Sequence, residues 1–195
     1  VRVSTIEQNE ERQIVELRDK IFIEKFFVDK VSAKSINPNM KYYYCPRLLR
    51  KEFYQANSWN INNINRHTIF VSQGDYPIKG LHFVFMALPL IIKRFPDTKL
   101  YLTGRSNLTA KNVSKLIGNG YLRYLNHLAK DLGIMQHVEF VGTKDAYGMV
   151  EQYQKANVAV VSSAIENAPN SLAEAMIIGT PTVATFVGGN MDMID

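Results

Sequence analysis

Several things are scarce in this sequence, and each shortage removes a class of protein. It has one cysteine, Cys45, so no internal disulfide can form and the chain fits a reducing compartment. A lone Cys also reads simply as a small buried apolar residue. The four histidines, His67, His82, His127 and His137, lie far apart without metal-ligand spacing, so each is expected to pack or to sit on the surface. Like charges form no run: 23 Lys and Arg are interleaved with 18 Asp and Glu, leaving a net charge of +5. That excludes a continuous strip tracking a nucleic-acid backbone and leaves room only for a basic patch facing anionic lipid. The longest apolar stretch, residues 81–92, is interrupted by His82 and Pro89 and is too short to span a bilayer. No signal peptide is visible, although the chain starts without Met and an absent leader would leave no trace. There is no internal repeat, and low complexity is confined to the Asn cluster at residues 60–65.

What is present is alternation. Residues 1–20 carry Ile14, Leu17 and Ile21 at helical spacing behind a Glu-rich start, an amphipathic helix. Residues 21–28 give no assignment, residues 29–35 read as a second helix ended by Asn37-Pro38, and the aromatic residues 41–45 as a strand. A short helix at 48–54 and an Asn-rich connection at 55–66 follow. From His67 onward the pattern is regular. Strands are expected at 68–72, 99–103, 137–141, 158–161 and 182–185, and helices at 79–94, 121–132, 145–155 and 171–178. Pro89 should kink the first of these helices or divide it. Strands alternating with helices through short Gly-bearing loops mean an α/β fold, with a parallel sheet and right-handed crossovers.

Residues 158–185 organise the rest. The β-branched strand 158–161 is expected to be buried on both faces, as is the strand 182–185 after Pro181. Between them a polar loop with Pro169 leads into a helix, with Asn170 as N-cap and Gly179 as stop. Glu166 lies in the loop and Glu174 eight positions on, in the first turns of the helix. A strand-to-helix loop in an open parallel sheet faces the ligand edge. The helix start suits a phosphate, whereas carboxylates repel one and suit neutral hydroxyls. A ligand with both groups is a nucleotide-sugar. Two glutamates so spaced also occur on solvated helix faces, but Leu172, Ala173, Ala175 and Met176 make a poor setting for a merely solvated Glu174.

The loop SQGDYPIKG, after the first regular strand, opens on the same sheet edge. Gly74 permits close backbone approach. Lys79 is expected at a helix start, the wrong end of the dipole for a cation, unless an anion sits between them. The alternative is a solvated surface lysine.

The segment SSAIENAPNSLAEAMIIGTPTVATFVGG resembles the E-x7-E signature of the retaining family 4 glycosyltransferases, bacterial group 1 enzymes of the GT-B fold. The likeness runs over residues 32–194 and includes SINPNMKYYYCPRLLRKEFY, which resembles the crossing between the two domains of such enzymes. It implies a Rossmann-like parallel sheet with flanking helices as part of a two-domain protein of roughly twice this length, given domains of ~100–200 residues. Residues 1–66 would then be the tail of an N-terminal domain with the crossing, and residues 67–195 a nucleotide-sugar-binding domain ending before its sheet closes.

The resemblance also implies roles. Lys79-Gly80 is similar to the pair that holds the donor diphosphate, Glu166 to the residue contacting the donor sugar, and Glu174 to the one holding the ribose hydroxyls, which a carboxylate accepts well. Lys79 and Glu166 are thereby the catalytic candidates. Backbone groups of Asn167, Ala168 and Asn170 are expected near sugar or phosphate, and Gly142, Thr143 and Lys144 near the base. Relatives often carry a Gly-Arg pair before the Lys; here Gln73 and Gly74 stand there, so a second diphosphate cation is unassigned. Arg105, after Gly104, is a candidate stand-in, or a surface arginine. No Asp-x-Asp metal signature is present and Asp75 alone does not replace one. The implied chemistry is metal-independent and cofactor-free, with front-face attack aided by the leaving phosphate. The acceptor would be a glycan or a lipid-linked sugar, in the cytoplasm or at the inner face of the membrane, with peripheral membrane contact through the N-terminal half. A nucleotide-sugar epimerase and a nucleotide-binding half without turnover are the alternatives.

Overall fold

The computed structural model describes residues 48–104, 120–191 and 193. The expected helices at 1–20 and 29–35, the strand at 41–45 with Cys45, and Arg105 lie outside the described residues.

The described chain begins with α1 (Lys51–Gln55) and a one-turn 3-10 segment at Ile61–Asn63. The regular alternation follows: β1 (Thr68–Val71), α2 (Leu81–Arg94), β2 (Lys99–Leu102), α3 (Gly120–Asp131), β3 (Val138–Phe140), α4 (Ala146–Lys155), β4 (Val158–Val161), α5 (Asn170–Ile178) and β5 (Thr182–Ala184). The strands form one parallel sheet in the order β3-β2-β1-β4-β5. The order reverses between β1 and β4, the point where open sheets of this kind bind ligands outside the carboxyl ends of their strands.

Strand alternation divides the core into two layers. Ile69, Val71, Leu100 and Leu102 face one side and pack with Leu81, Phe85 and Leu88 of α2 and Leu122 and Leu125 of α3. Phe70 and Ala159 face the other and pack with Met149, Val150 and Tyr153 of α4, Ala175 and Ile178 of α5, and Phe53 of α1. Phe53 is 1% exposed, its ring edge-on to Tyr153 with centroids 6.1 Å apart. The connection after α1 is fastened to the same layer: the Trp59 amide donates to the Ile178 carbonyl at 2.7 Å and its indole N–H to the Ala156 carbonyl at 2.8 Å.

Three expectations need correction. Helix α2 begins at Leu81 rather than at Lys79; of the two alternatives expected at Pro89, division is the one it does not show. Lys79 instead ends a 3-10 turn, Pro77–Lys79, and Gly80 at φ +69° is the cap between turn and helix. Asn170 is the first residue of α5, Pro169 holds the cap position, and no side chain caps that helix. Strand β5 is not buried on both faces: Val183 is 60% exposed, because β5 is the edge strand of the described sheet. The histidines do pack or sit near the surface: His67 pairs with Asp97, His82 with the Tyr121 hydroxyl and His137 with the Thr98 carbonyl.

Candidate active site

The loops leaving the carboxyl ends of β1, β2 and β4 are joined to one another by hydrogen bonds. Ala164 N donates to Ile78 O at 2.8 Å and Ser162 Oγ to Lys79 O at 2.9 Å, tying the loop after β1 to the loop after β4. Gly80 sits where the two touch: a Cβ there would lie 1.9 Å from the Ser162 carbonyl oxygen, so no side chain fits. Thr103 Oγ1 donates to Ser72 O at 2.6 Å, linking the ends of β1 and β2. Gly189 N donates to Glu166 O at 2.9 Å and holds the second half of the loop after β4. The result is a hydrogen-bonded floor to a cleft of about 1030 Å³.

Of the sequence-derived candidates, Gln73, Lys79, Gly104, Thr143, Lys144, Glu166, Asn167, Ala168, Asn170 and Glu174 all line this cleft. Gly74 does not. A Cβ on it would overlap Leu81 Cδ2 at 2.4 Å, so this glycine serves packing against α2 rather than approach to a ligand.

The two carboxylates are buried, Glu166 to 8% and Glu174 to 6% exposure. An isolated buried carboxylate is costly, and each here has a cation. Lys79 Nζ lies 2.5 Å from Glu166 Oε1, which also accepts from Ser163 Oγ at 2.6 Å. Arg50 Nη2 donates to Glu174 Oε1 at 2.9 Å. Tyr153, fully buried, donates its hydroxyl to Ser171 O at 3.0 Å and lies 3.4 Å from Glu174 Oε2. Burial holds the Glu174 carboxyl above the usual range, and the Arg50 guanidinium opposes this without cancelling it. Burial likewise pushes the Tyr153 phenol up, so it stays a neutral donor.

Helix α5 starts at the cleft, with Asn170 and Ser171 in its wall, so the positive end of its dipole lies within reach of an anion there. Among the described residues no group of three or more His, Cys, Asp or Glu converges on a point. No described helix is long and apolar enough to cross a membrane.

Sequence reasoning missed Arg50, Ser163 and Tyr153. Ser163, three residues before Glu166, was the findable one. Arg50 carried no local signal, because its partner is 124 residues away.

Comparison with known proteins agrees with this fold. Residues 54–195 match the family described as glycosyl transferases group 1. An uncharacterised glycosyltransferase of Methanocaldococcus jannaschii is 28% identical over 137 residues, 70% of this chain and 31% of that protein. The C-terminal domain of a group 1 glycosyl transferase of Francisella tularensis superposes with a TM-score of 0.58 at 18% identity, over 73% of this chain and 74% of that one. The Anabaena protein HepE, solved with UDP and glucose, superposes with a TM-score of 0.55 at 21% identity, over 68% of this chain and 32% of that one. This chain spans less than a third of the length of the curated relatives it matches. With the family match reaching across the whole described sheet and every residue of the cleft wall except Arg50, the chain belongs to the group 1 glycosyl transferases.

Proposed function

We propose that the cleft is the donor site of a retaining family 4 glycosyltransferase of the GT-B type, and that it takes a nucleoside diphosphate sugar. In this reading residues 67–195 are the donor-binding half, and residues 1–66 belong to the preceding domain and the crossing. The observation that carries the reading is the pairing inside one cleft of buried Glu166 with Lys79, beside Glu174 near the start of α5. The UDP and glucose reported with the Anabaena neighbour support the ligand class.

The chemistry follows from the residues. Lys79 and the start of α5 neutralise the diphosphate as it leaves, a role that needs no metal or cofactor. Glu166, oriented by Ser163, accepts hydroxyls of the donor sugar, and Glu174, oriented by Tyr153, those of the ribose. Gly104, Thr143 and Lys144 border the side where the base lies. The acceptor, a glycan or lipid-linked sugar, attacks the face from which the diphosphate departs, so the configuration is retained. It is presented by the rest of the protein, in the cytoplasm or at the inner face of the membrane.

Calorimetry with UDP, GDP and ADP, set beside the corresponding nucleosides, tests the donor site. Lys79→Ala is expected to weaken the diphosphates about tenfold or more while sparing the nucleosides, as loss of a charge-assisted bond requires. Equal weakening of both removes the assigned role of Lys79, and no binding by any of the three diphosphates removes the donor site. A labelled donor panel offered to the longer protein separates transfer to an acceptor from epimerisation of the donor, and from binding without turnover.

A further inference from the structure

Lys79 is one cation, and it is already held by Glu166. A nucleoside diphosphate brings two phosphoryl groups into a cleft that also contains two buried carboxylates. Charge balance there calls for a further cation close to the carboxylates.

Arg50 stands at that place. Its backbone is extended at the cap of α1, φ −65° and ψ 141°, and its guanidinium reaches the buried Glu174 while its own side chain remains 45% exposed at the cleft wall. The reach is held from behind: Phe53, one turn on, is locked into the core, and the Arg50 Cζ lies 5.1 Å from the Phe53 ring centroid. A guanidinium presents five N–H donors in a planar fork suited to phosphate oxygens, and the Glu174 bond uses Nη2.

We propose that Arg50 is a donor-phosphate-binding residue, delivered from the segment ahead of the sheet and parked on Glu174 until a ligand arrives. This rests on the donor-site reading above. On binding, the ribose hydroxyls donate to the Glu174 carboxylate, and the guanidinium swings its fork to the phosphate oxygens. No charge is left buried without a partner before or after the exchange. Arg50 and the ribose hydroxyls therefore compete for one carboxylate, which gives the two halves of the ligand opposite dependence on Arg50.

Calorimetry on the protein with UDP, uridine and inorganic pyrophosphate reads that dependence. Arg50→Ala is expected to weaken UDP and pyrophosphate about tenfold while leaving uridine unchanged or tighter, since Glu174 is released to the ribose. Should Arg50→Ala fail to fold, Glu174→Gln gives the reciprocal reading. Freed of its carboxylate partner, Arg50 should bind pyrophosphate more tightly than in the parent protein, while uridine weakens. A merely structural Arg50 would weaken UDP and uridine together, and that result overturns the inference. So does UDP binding unchanged in Arg50→Ala, or pyrophosphate binding unchanged in Glu174→Gln, with the donor site itself left standing. Failure of the parent protein to bind UDP or pyrophosphate overturns both readings at once.

Discussion

Glu166 and Glu174 sit in one cleft with nearly equal burial, and each is paired with a cation, yet the two pairs are built differently. Lys79 reaches Glu166 because β1 and β4 are neighbours in the sheet, so the loops that leave them must meet. Arg50 reaches Glu174 only because α1 is docked on the far layer by Phe53 and Trp59. One pair is a consequence of sheet topology, the other of a tethered arm. The arm leaves its cation half exposed at the cleft wall, 45% for the Arg50 side chain, whereas Lys79 is more enclosed at 22%.

That contrast can be broken at the arm first. Phe53→Ala removes a fully buried ring from the second core layer and is expected to cost about 4 kcal/mol, read by urea denaturation. It should also weaken UDP more than uridine, by loosening Arg50 while the Lys79 end stays in place. A loss shared equally by both ligands would mean that the arm has no separate role.

The loop end is probed next. A Cβ on Gly189 would lie 1.3 Å from the Asn167 carbonyl oxygen, so Gly189→Ala must push the loop after β4 outward. Stability should fall by about 3 kcal/mol, and the Glu166 end should suffer with Arg50 still seated. Retained stability and UDP affinity would show that this loop yields more easily than its hydrogen bonds imply.

The smallest effect concerns proton binding at Glu174. Its folded carboxyl keeps the proton to higher pH than the usual 4.5, because burial outweighs the arginine. The sign follows: the stability contributed by that protonation is complete below about 4.5 and is lost as pH rises through the folded pKa. Glu174→Gln, which does not titrate, should therefore gain stability relative to the parent protein over that interval in melts taken across pH. Parallel curves would place Glu174 in an ordinary, hydrated setting.

Much of the loop end was legible. The β-branched runs, the Gly-bearing loops and the spacing of Glu166 and Glu174 announce a parallel sheet with a ligand edge, and Lys79 follows from its loop. Helix boundaries were less legible where backbone contacts set them. Lys79 ends a 3-10 turn because Gly80, in the left-handed region, starts α2 anew against the Ser162 carbonyl, and no local propensity encodes that contact. The edge position of β5 was likewise hidden, since Thr182–Ala184 are as β-prone as any central strand and exposure depends on what lies beside them.

The role of the arm was hidden. Arg50 lies in a stretch legible only as a short helix at 48–54, found at Lys51–Gln55, and its meaning appears only once Phe53 has found the core. The sequence by itself determined the α/β alternation, the parallel sheet and Glu166 and Lys79 as candidates, because periodicity and loop composition are local; that β1 lies beside β4 and so brings the two side chains together was decided by the sheet order. Only the tertiary structure decided that a cation 124 residues from Glu174 would close the other end, because ion pairs between distant segments follow packing rather than spacing.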